Sequence, residues 1–377
     1  MKRFLVSAAM LLFAMCWVMA QNEGFSKATL KVAKAVQKYK DKPEAKNEEK
    51  MQQVFQKSLT EDPSQVHYMW RCLGEAYYHT NIKDARKFDK GYECYTKALE
   101  LTPESLGAER ALCYYNLGLM YLKGHHVNQD FAKALELFST CAESAPSLAA
   151  TAMASIYRYG LGVEKDEDKT YEFYLIAMRD GKDVFADTYS LAYNLTHQDT
   201  PEAEEANSLY DEAMKSIVLE TKIETIASNL KKAADLGHAP AQTALAEYMQ
   251  NYTYSLMFGV KGTIEEAELM AQKAASQDYP HGVYMLGRII EISTFGKFMQ
   301  WDRAKKYWEC YKKAAELGHP VSQYVVGYIY SGENPNILSL IKEKANKTLA
   351  YEWFEKSAQA GWPNAKKKAE VYKSHAK

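Results

Sequence analysis

Four stretches close on nearly the same phrase: Lys231-Lys-Ala-Ala-Asp-Leu-Gly-His238, Gln272-Lys-Ala-Ala-Ser-Gln-Asp-Tyr279, Lys312-Lys-Ala-Ala-Glu-Leu-Gly-His319 and Glu355-Lys-Ser-Ala-Gln-Ala-Gly-Trp362. Aligned on the Lys-Ala or Lys-Ser step, they recur after 41, 40 and 43 residues. Self-similarity at a period of this size is the mark of a stacked repeat, in which no single unit buries its apolar face alone. The reading favours a binding scaffold over a pocket enzyme.

Working outward, each phrase is the end of the second helix of a helix pair. The first helix carries Leu-Gly with Tyr four residues after the Leu, as in Leu73-Gly74 with Tyr77 and Leu117-Gly118 with Tyr121. Met153-Ala154 with Tyr157 and Val326-Gly327 with Tyr330 vary the theme, and Leu286-Gly287 is followed by Ile290. Glycine inside a helix costs about 0.5–1 kcal/mol against alanine. Its recurrence at one register predicts close approach of a neighbouring helix backbone. Glycine turns follow at Gly124, Gly160 and Gly162, suited to left-handed helix ends. Asp130, Asp168, Thr200, Thr263 and Asp302 are candidate caps for the second helices, with a capping-box pattern at Thr263 and Glu266.

The ordered set Tyr157, Gly160, Gly162, Val163, Asp166, Lys169, Tyr174 and Ala177 resembles the unit of the Sel-one-like repeat (SLR) family. So does the set Leu117, Gly118, Tyr121, Gly124, Val127, Asp130, Lys133, Ala134 and Ala142. The resemblance implies an all-α, α/α superhelical solenoid of about six to seven helix-turn-helix repeats, akin to tetratricopeptide arrays, that mediates protein–protein contacts. On this reading residues 65–363 form the array, 21–64 a charged helical lead-in and 364–377 a C-terminal capping helix. Residues 182–230, 250–262 and 292–300 depart from the pattern. Insertions in repeat arrays map to one face and often serve binding; drift in connector length is the alternative.

Composition agrees with an array. The chain has 377 residues, 47% of them hydrophobic, and a formal net charge of −1, which gives no footprint for nucleic acid. Residues 1–20 read as a signal peptide. Lys2 and Arg3 precede an almost wholly apolar run from Phe4 to Val18, and Val18-Met19-Ala20 offers a cleavage site. No other stretch is apolar enough to span a membrane. The expected protein is therefore exported, periplasmic or secreted.

Five cysteines follow that segment. Cys72 and Cys94, and likewise Cys113 and Cys141, lie level across their helix hairpins, which in an oxidising compartment predicts two disulfides. Each would close a loop of roughly 20–30 residues, worth about 3 kcal/mol. Buried thiols are the alternative. The histidines lack metal-ligand spacing, and the sequence calls for no cofactor. Ser-x-x-Lys occurs at Ser228–Lys231, Ser339–Lys342 and Ser374–Lys377, at a frequency expected by chance. Cysteine-rich relatives of the repeat family nonetheless make a β-lactamase-like hydrolase the second reading, behind a non-enzymatic scaffold.

In superhelical arrays the first helices line the inner surface. Positions −2, +2 and +5 from the Leu should then form an exposed stripe that receives a protein or peptide. They are Arg71, Glu75 and Tyr78; Tyr115, Leu119 and Leu122; Thr151, Ser155 and Arg158; Tyr284, Arg288 and Glu291; and Tyr324 and Tyr328. Tyrosine and arginine are frequent interface anchors. Packing of these side chains between neighbouring repeats is the competing expectation.

Overall fold

A computed structural model describes residues 25–80, 82–179, 184–294, 301–333 and 343–375. The expected signal peptide at 1–20 lies outside the described residues. Among them every regular element is a helix, and consecutive helices pack as antiparallel pairs. The chain divides into two compact units, one ending at Ala152 and one beginning at Met153.

The first unit begins with α1 (Lys27–Asp41) and α2 (Ala45–Glu61), separated near Pro43. Ser26 caps α1 by accepting a bond from the Thr29 amide at 3.2 Å. Lys27, Lys31, Lys34 and Lys38 face solvent as their spacing requires. The opposite face is a core element, not a solvated leader. Val32, Val36, Tyr39, Met51 and Phe55 are buried together with Met69, Leu73 and Tyr77 of α3 (Val66–Tyr78). Burial of such side chains contributes about 1.5–3 kcal/mol each. The lead-in is thus a helix pair in its own right. It is followed by the pairs α3 with α4 (Phe88–Leu101) and α5 (Gly107–Lys123) with α6 (Phe131–Ser144).

The recurrent Leu-Gly step has a specific cause. A Cβ added at Gly74 would lie 2.9 Å from the Tyr95 ring, and one at Gly118 would lie 2.8 Å from the Phe138 ring. In the second unit Gly327 meets the Phe354 ring at 3.0 Å. At Gly74 and Gly118 the second helix lays an aromatic ring, rather than its backbone, against the glycine; at Gly327 the Ala350 carbonyl also approaches, at 3.2 Å. Gly287 is the exception: it faces the Cβ of Cys310 at 3.1 Å.

The boundary between the units falls in α7 (Pro146–Tyr159). The second unit continues with α8 (Glu167–Arg179), α9 (Phe185–Thr196), α10 (Pro201–Leu219), α11 (Ile223–Asp235), α12 (Ala239–Gln250) and the short α13 (Tyr252–Phe258). Then come α14 (Ile264–Ala275), α15 (Pro280–Thr294), α16 (Trp301–Glu316), α17 (Pro320–Tyr330), α18 (Lys347–Gln359) and α19 (Pro363–Tyr372). Asp130, Thr200 and Thr263 cap their helices as expected, the last in a complete capping box. Asp166, not Asp168, accepts the Lys169 amide at the start of α8. Asp302 sits inside the first turn of α16.

The closing phrase is a two-part junction. Gly237, Gly318 and Gly361 take φ of 92°, 91° and 92°, the left-handed conformation that ends a helix with little strain only at glycine. The next residue then caps the following helix. His238 Nδ1 accepts the Ala241 amide at 3.2 Å, and His319 Nδ1 accepts the Ser322 amide at 3.3 Å. Pro240 and Pro320 occupy the first turns, where a missing N–H costs nothing. Asp278 adopts φ 54° where the second phrase lacks glycine.

Candidate partner-binding site

The expected first-helix stripe is only partly a surface. Arg288 is exposed, whereas Glu75, Tyr115, Leu119, Thr151, Ser155, Tyr284, Glu291, Tyr324 and Tyr328 are half-buried. Arg71, Tyr78, Leu122 and Arg158 are buried, so the expectation of exposure fails at these four positions. The reason is packing of one first helix on the next. Arg71 Nε donates to Glu109 Oε2 at 2.8 Å, joining α3 to α5. His79 bonds Asn116 at 2.7 Å between the same helices. Glu75 is held below the usual carboxylate range despite its burial, by the positive groups His79, Lys40 and Arg71.

Arg158 is the deepest of these cations. It donates to the Asp187 main-chain oxygen at 3.1 Å, to Ser190 Oγ at 3.1 Å and to Asp211 Oδ1 at 3.2 Å. A buried cation held by one carboxylate and two neutral acceptors ties the end of α7 to α9 and α10. Tyr284 stacks on His319 with centroids 4.3 Å apart and accepts a bond from Arg288 at 3.2 Å. Glu291 accepts from Tyr311 at 2.5 Å. Tyr324 packs against Phe354, and Lys368 lies over the Tyr328 ring.

Neither expected disulfide is present among the described residues: Cys72, Cys94, Cys113 and Cys141 are thiols, as is Cys310. Level placement across a hairpin was not sufficient. Gly74 faces α4 through Tyr95, and Cys72, two residues earlier, points about 200° around the helix from it. Cys113 is buried beside Arg71 and Glu109, toward the preceding first helix rather than toward Cys141. Burial pushes the Cys94 and Cys113 thiols up to about 12. Of the Ser-x-x-Lys matches, Ser228 and Lys231 are both exposed on α11. Ser374 is exposed as well, while Ser339, Lys342 and Lys377 lie outside the described residues.

Two of the three irregular segments converge. α9 crosses successive Gly-His junctions of the second unit. Tyr189 donates to the Gly318 carbonyl at 3.1 Å and stacks on His319. Tyr193 reaches Gln277 at 3.2 Å and meets Tyr279 and His238 edge-on. Asn194 Oδ1 accepts from His238 Nε2 at 2.9 Å. With Nδ1 already accepting, His238 is the neutral Nε2–H tautomer, and burial pushes its pKa down to about 3. Beside this crossing lies a cavity of about 250 Å³. Asp187 of α9, Tyr210 of α10, Glu247 and Tyr248 of α12 and Tyr254 and Phe258 of α13 line it, with Tyr279 and His281. The segment 250–262 therefore supplies a wall of the cavity, through α13. The segment 182–230 supplies another through α9 and α10. The segment 292–300 holds the end of α15; its residues 295–300 lie outside the described residues.

A family model described as Sel1 repeat matches residues 111–144, 147–195, 239–279, 281–319 and 320–362, more than half of the chain. This chain belongs to the Sel1 repeat family. Three of its Sel1 repeats end at Tyr279, His319 and Trp362, on the junction phrase itself. The α3–α4 pair falls outside the match yet repeats the glycine–ring contact of the Sel1 units.

Among solved structures, the chain is similar to a protective antigen of uropathogenic Escherichia coli strains displaying an SLR fold. The identity is 21% over 85% of this chain and 71% of that one, with a TM-score of 0.35. A Sel1 repeat protein from Oxalobacter formigenes is 20% identical over 94% of this chain and 88% of that one, with a TM-score of 0.37. An immunity protein from Pseudomonas aeruginosa is 19% identical over 67% and 82%, with a TM-score of 0.32. The cavity sits where the Sel1 pattern breaks, since α10, α11 and their turn lie between the repeat ending at 195 and the one beginning at 239.

Proposed function

We propose that this chain is an exported, non-catalytic scaffold that holds a protein or peptide partner on the first-helix face of its Sel1 repeats. The observation that carries the reading is the repeat itself, since stacked helix pairs provide an extended surface. Within each unit the half-buried positions Glu75 and Tyr115, and Tyr284, Glu291, Tyr324 and Tyr328 with the exposed Arg288, mix aromatic and charged groups suited to a polar-rimmed interface. The buried Arg71, Tyr78 and Arg158 serve as supports beneath that face. Export is supported by Lys2 and Arg3, the apolar run to Val18 and the Val18-Met19-Ala20 step. No described helix is long and apolar enough to cross a membrane. The test is a crosslinking capture from the native compartment with the wild-type chain and with R288E. Capture that R288E abolishes supports the face; undiminished capture removes it.

A further inference from the structure

We propose that α9 is an acid-released latch, a helix whose hold on the junctions of the second unit lasts only while the imidazoles of His238 and His319 beneath it are uncharged.

The hydrogen bonds fix where a proton enters. Asn194 Nδ2 donates to Asp211 Oδ1 at 3.3 Å, so Asn194 Oδ1 is the atom that accepts from His238 Nε2 at 2.9 Å. The lone pair of His238 is then on Nδ1, where it accepts the Ala241 amide at 3.2 Å. His319 repeats the arrangement. Its Nδ1 accepts the Ser322 amide at 3.3 Å, and its Nε2 donates to His281 Nδ1 at 3.2 Å. In both rings the basic nitrogen points at an N–H in the first turn of a helix. A proton added there sets donor against donor, removes the cap and places a cation at the positive end of the helix dipole. A ring that turns away to relieve this leaves its α9 partners. Asn194 and Tyr193 hold the His238 ring, and Tyr189 stacks on the His319 ring.

The surrounding charges act in the same direction. Arg158 of α7 and His197 beyond α9 oppose a charge on His238, and His281 of α15 opposes one on His319. The phenol rings of Tyr193 and Tyr210 lie against His238, and those of Tyr189 and Tyr284 against His319. Asp211 stands one hydrogen bond away from His238, through Asn194, and is paired with Arg158 at 3.2 Å. Burial adds to the opposition at both rings and holds both pKa values below the unfolded one. Docking is therefore complete above about pH 6.5 and weakens as pH falls.

α9 is the element that gives way first. Ala192, Leu195 and Thr196 are exposed, and its buried aliphatic anchors are Leu191 and, just before the helix, Val184. The neighbouring α10 buries Ala206, Tyr210, Ala213 and Leu219. Segments with few buried apolar contacts open locally at a fraction of the global cost. Arg158 tethers the Asp187 carbonyl and Ser190 throughout this pH range, so the latch opens from its C-terminal half. Opening uncovers Tyr279 and the Gly318 carbonyl, the groups that Tyr193 and Tyr189 now cover. Histidine protonation switches interfaces by this route.

The test is amide hydrogen exchange by mass spectrometry on the full chain at pH 7, 6 and 5, each rate corrected for intrinsic exchange. Protection across residues 189–196 is expected to fall about tenfold or more between pH 7 and pH 5, while α10 and α14 change less than about threefold. H238N and H319N keep a cap that does not titrate, and each should remove part of the fall. N194A leaves both histidines in place and should loosen the same stretch already at pH 7. Equal protection of residues 189–196 at pH 7 and pH 5 overturns the proposal. So does a loss spread evenly over the second unit, an undiminished fall in both asparagine variants, or an N194A chain as protected as the wild type. The wild-type profile and N194A decide the matter even where an asparagine variant does not fold.

Discussion

His238 and His319 each do two jobs with one neutral imidazole: one nitrogen caps a helix and the other bonds a neighbouring side chain. Their protonation is opposed by burial, which lowers both pKa values. A histidine whose folded pKa lies below its unfolded value binds more protons when unfolded. Stability is therefore intact above about pH 6.5 and falls as pH drops toward the folded value, about 3 for His238. By pH 5 His238 alone should cost about 2 kcal/mol. Urea unfolding at pH 7 and pH 5 checks this, with H238N as the comparison because asparagine caps without titrating. A variant with the same acid sensitivity as the wild type would reject the assignment. The helical glycines make a second residue-scale prediction. G118A adds a methyl 2.8 Å from the fully buried Phe138 ring. Overpacking of about 1–3 kcal/mol should exceed the helix gain of about 0.5–1 kcal/mol. Chemical denaturation should show a net loss, partly recovered in G118A/F138L.

At the scale of elements, hairpin level does not decide which side chains meet; rotation about the helix axis does. Cys72 and Cys113 turn away from their expected partners because the glycine two or five residues later is the position that faces the second helix. All five cysteines from Cys72 onward should be found as thiols after denaturation without reductant. In the native protein Cys94 and Cys113 should alkylate far more slowly than after unfolding, given their burial and raised pKa. Disulfide-linked peptides in a non-reducing digest would contradict the structure. The same rotation explains the stripe. The position five residues beyond the Leu carries Tyr78, Leu122 and Arg158, all buried rather than outward: Tyr78 packs on Phe88 and Tyr95, and Arg158 bonds to α9 and α10. Helix α9 instead uses Tyr189, Tyr193 and Asn194 to bridge junctions that are distant in sequence.

For the whole molecule, binding falls to surfaces that remain accessible after the repeats have packed. Arg288 is the one cation of the expected stripe that is exposed among the described residues. R288E should reduce partner capture with circular dichroism unchanged. Arg158→Glu, by contrast, would place a carboxylate beside Asp187 and Asp211 in a buried site. It should destabilise the second unit by about 3–5 kcal/mol, as breaking a buried pair does. A stably folded Arg158→Glu protein that lost only its partner would return Arg158 to the binding face.

The sequence by itself determined the helix pairs, their period, most of their caps and the Gly-His junctions, because these depend on residues within one turn of each other. It also located the breaks at 182–230 and 250–262. It did not show that those breaks share a wall. Tyr189 meets Gly318, and Asp187 faces the same cavity as Glu247, across separations that no local periodicity encodes. Which stripe residues became buried, and which thiols stayed apart, depended equally on how each helix rotated against its neighbour. Side-chain volume at the interfaces sets that rotation, and only the tertiary structure decides it.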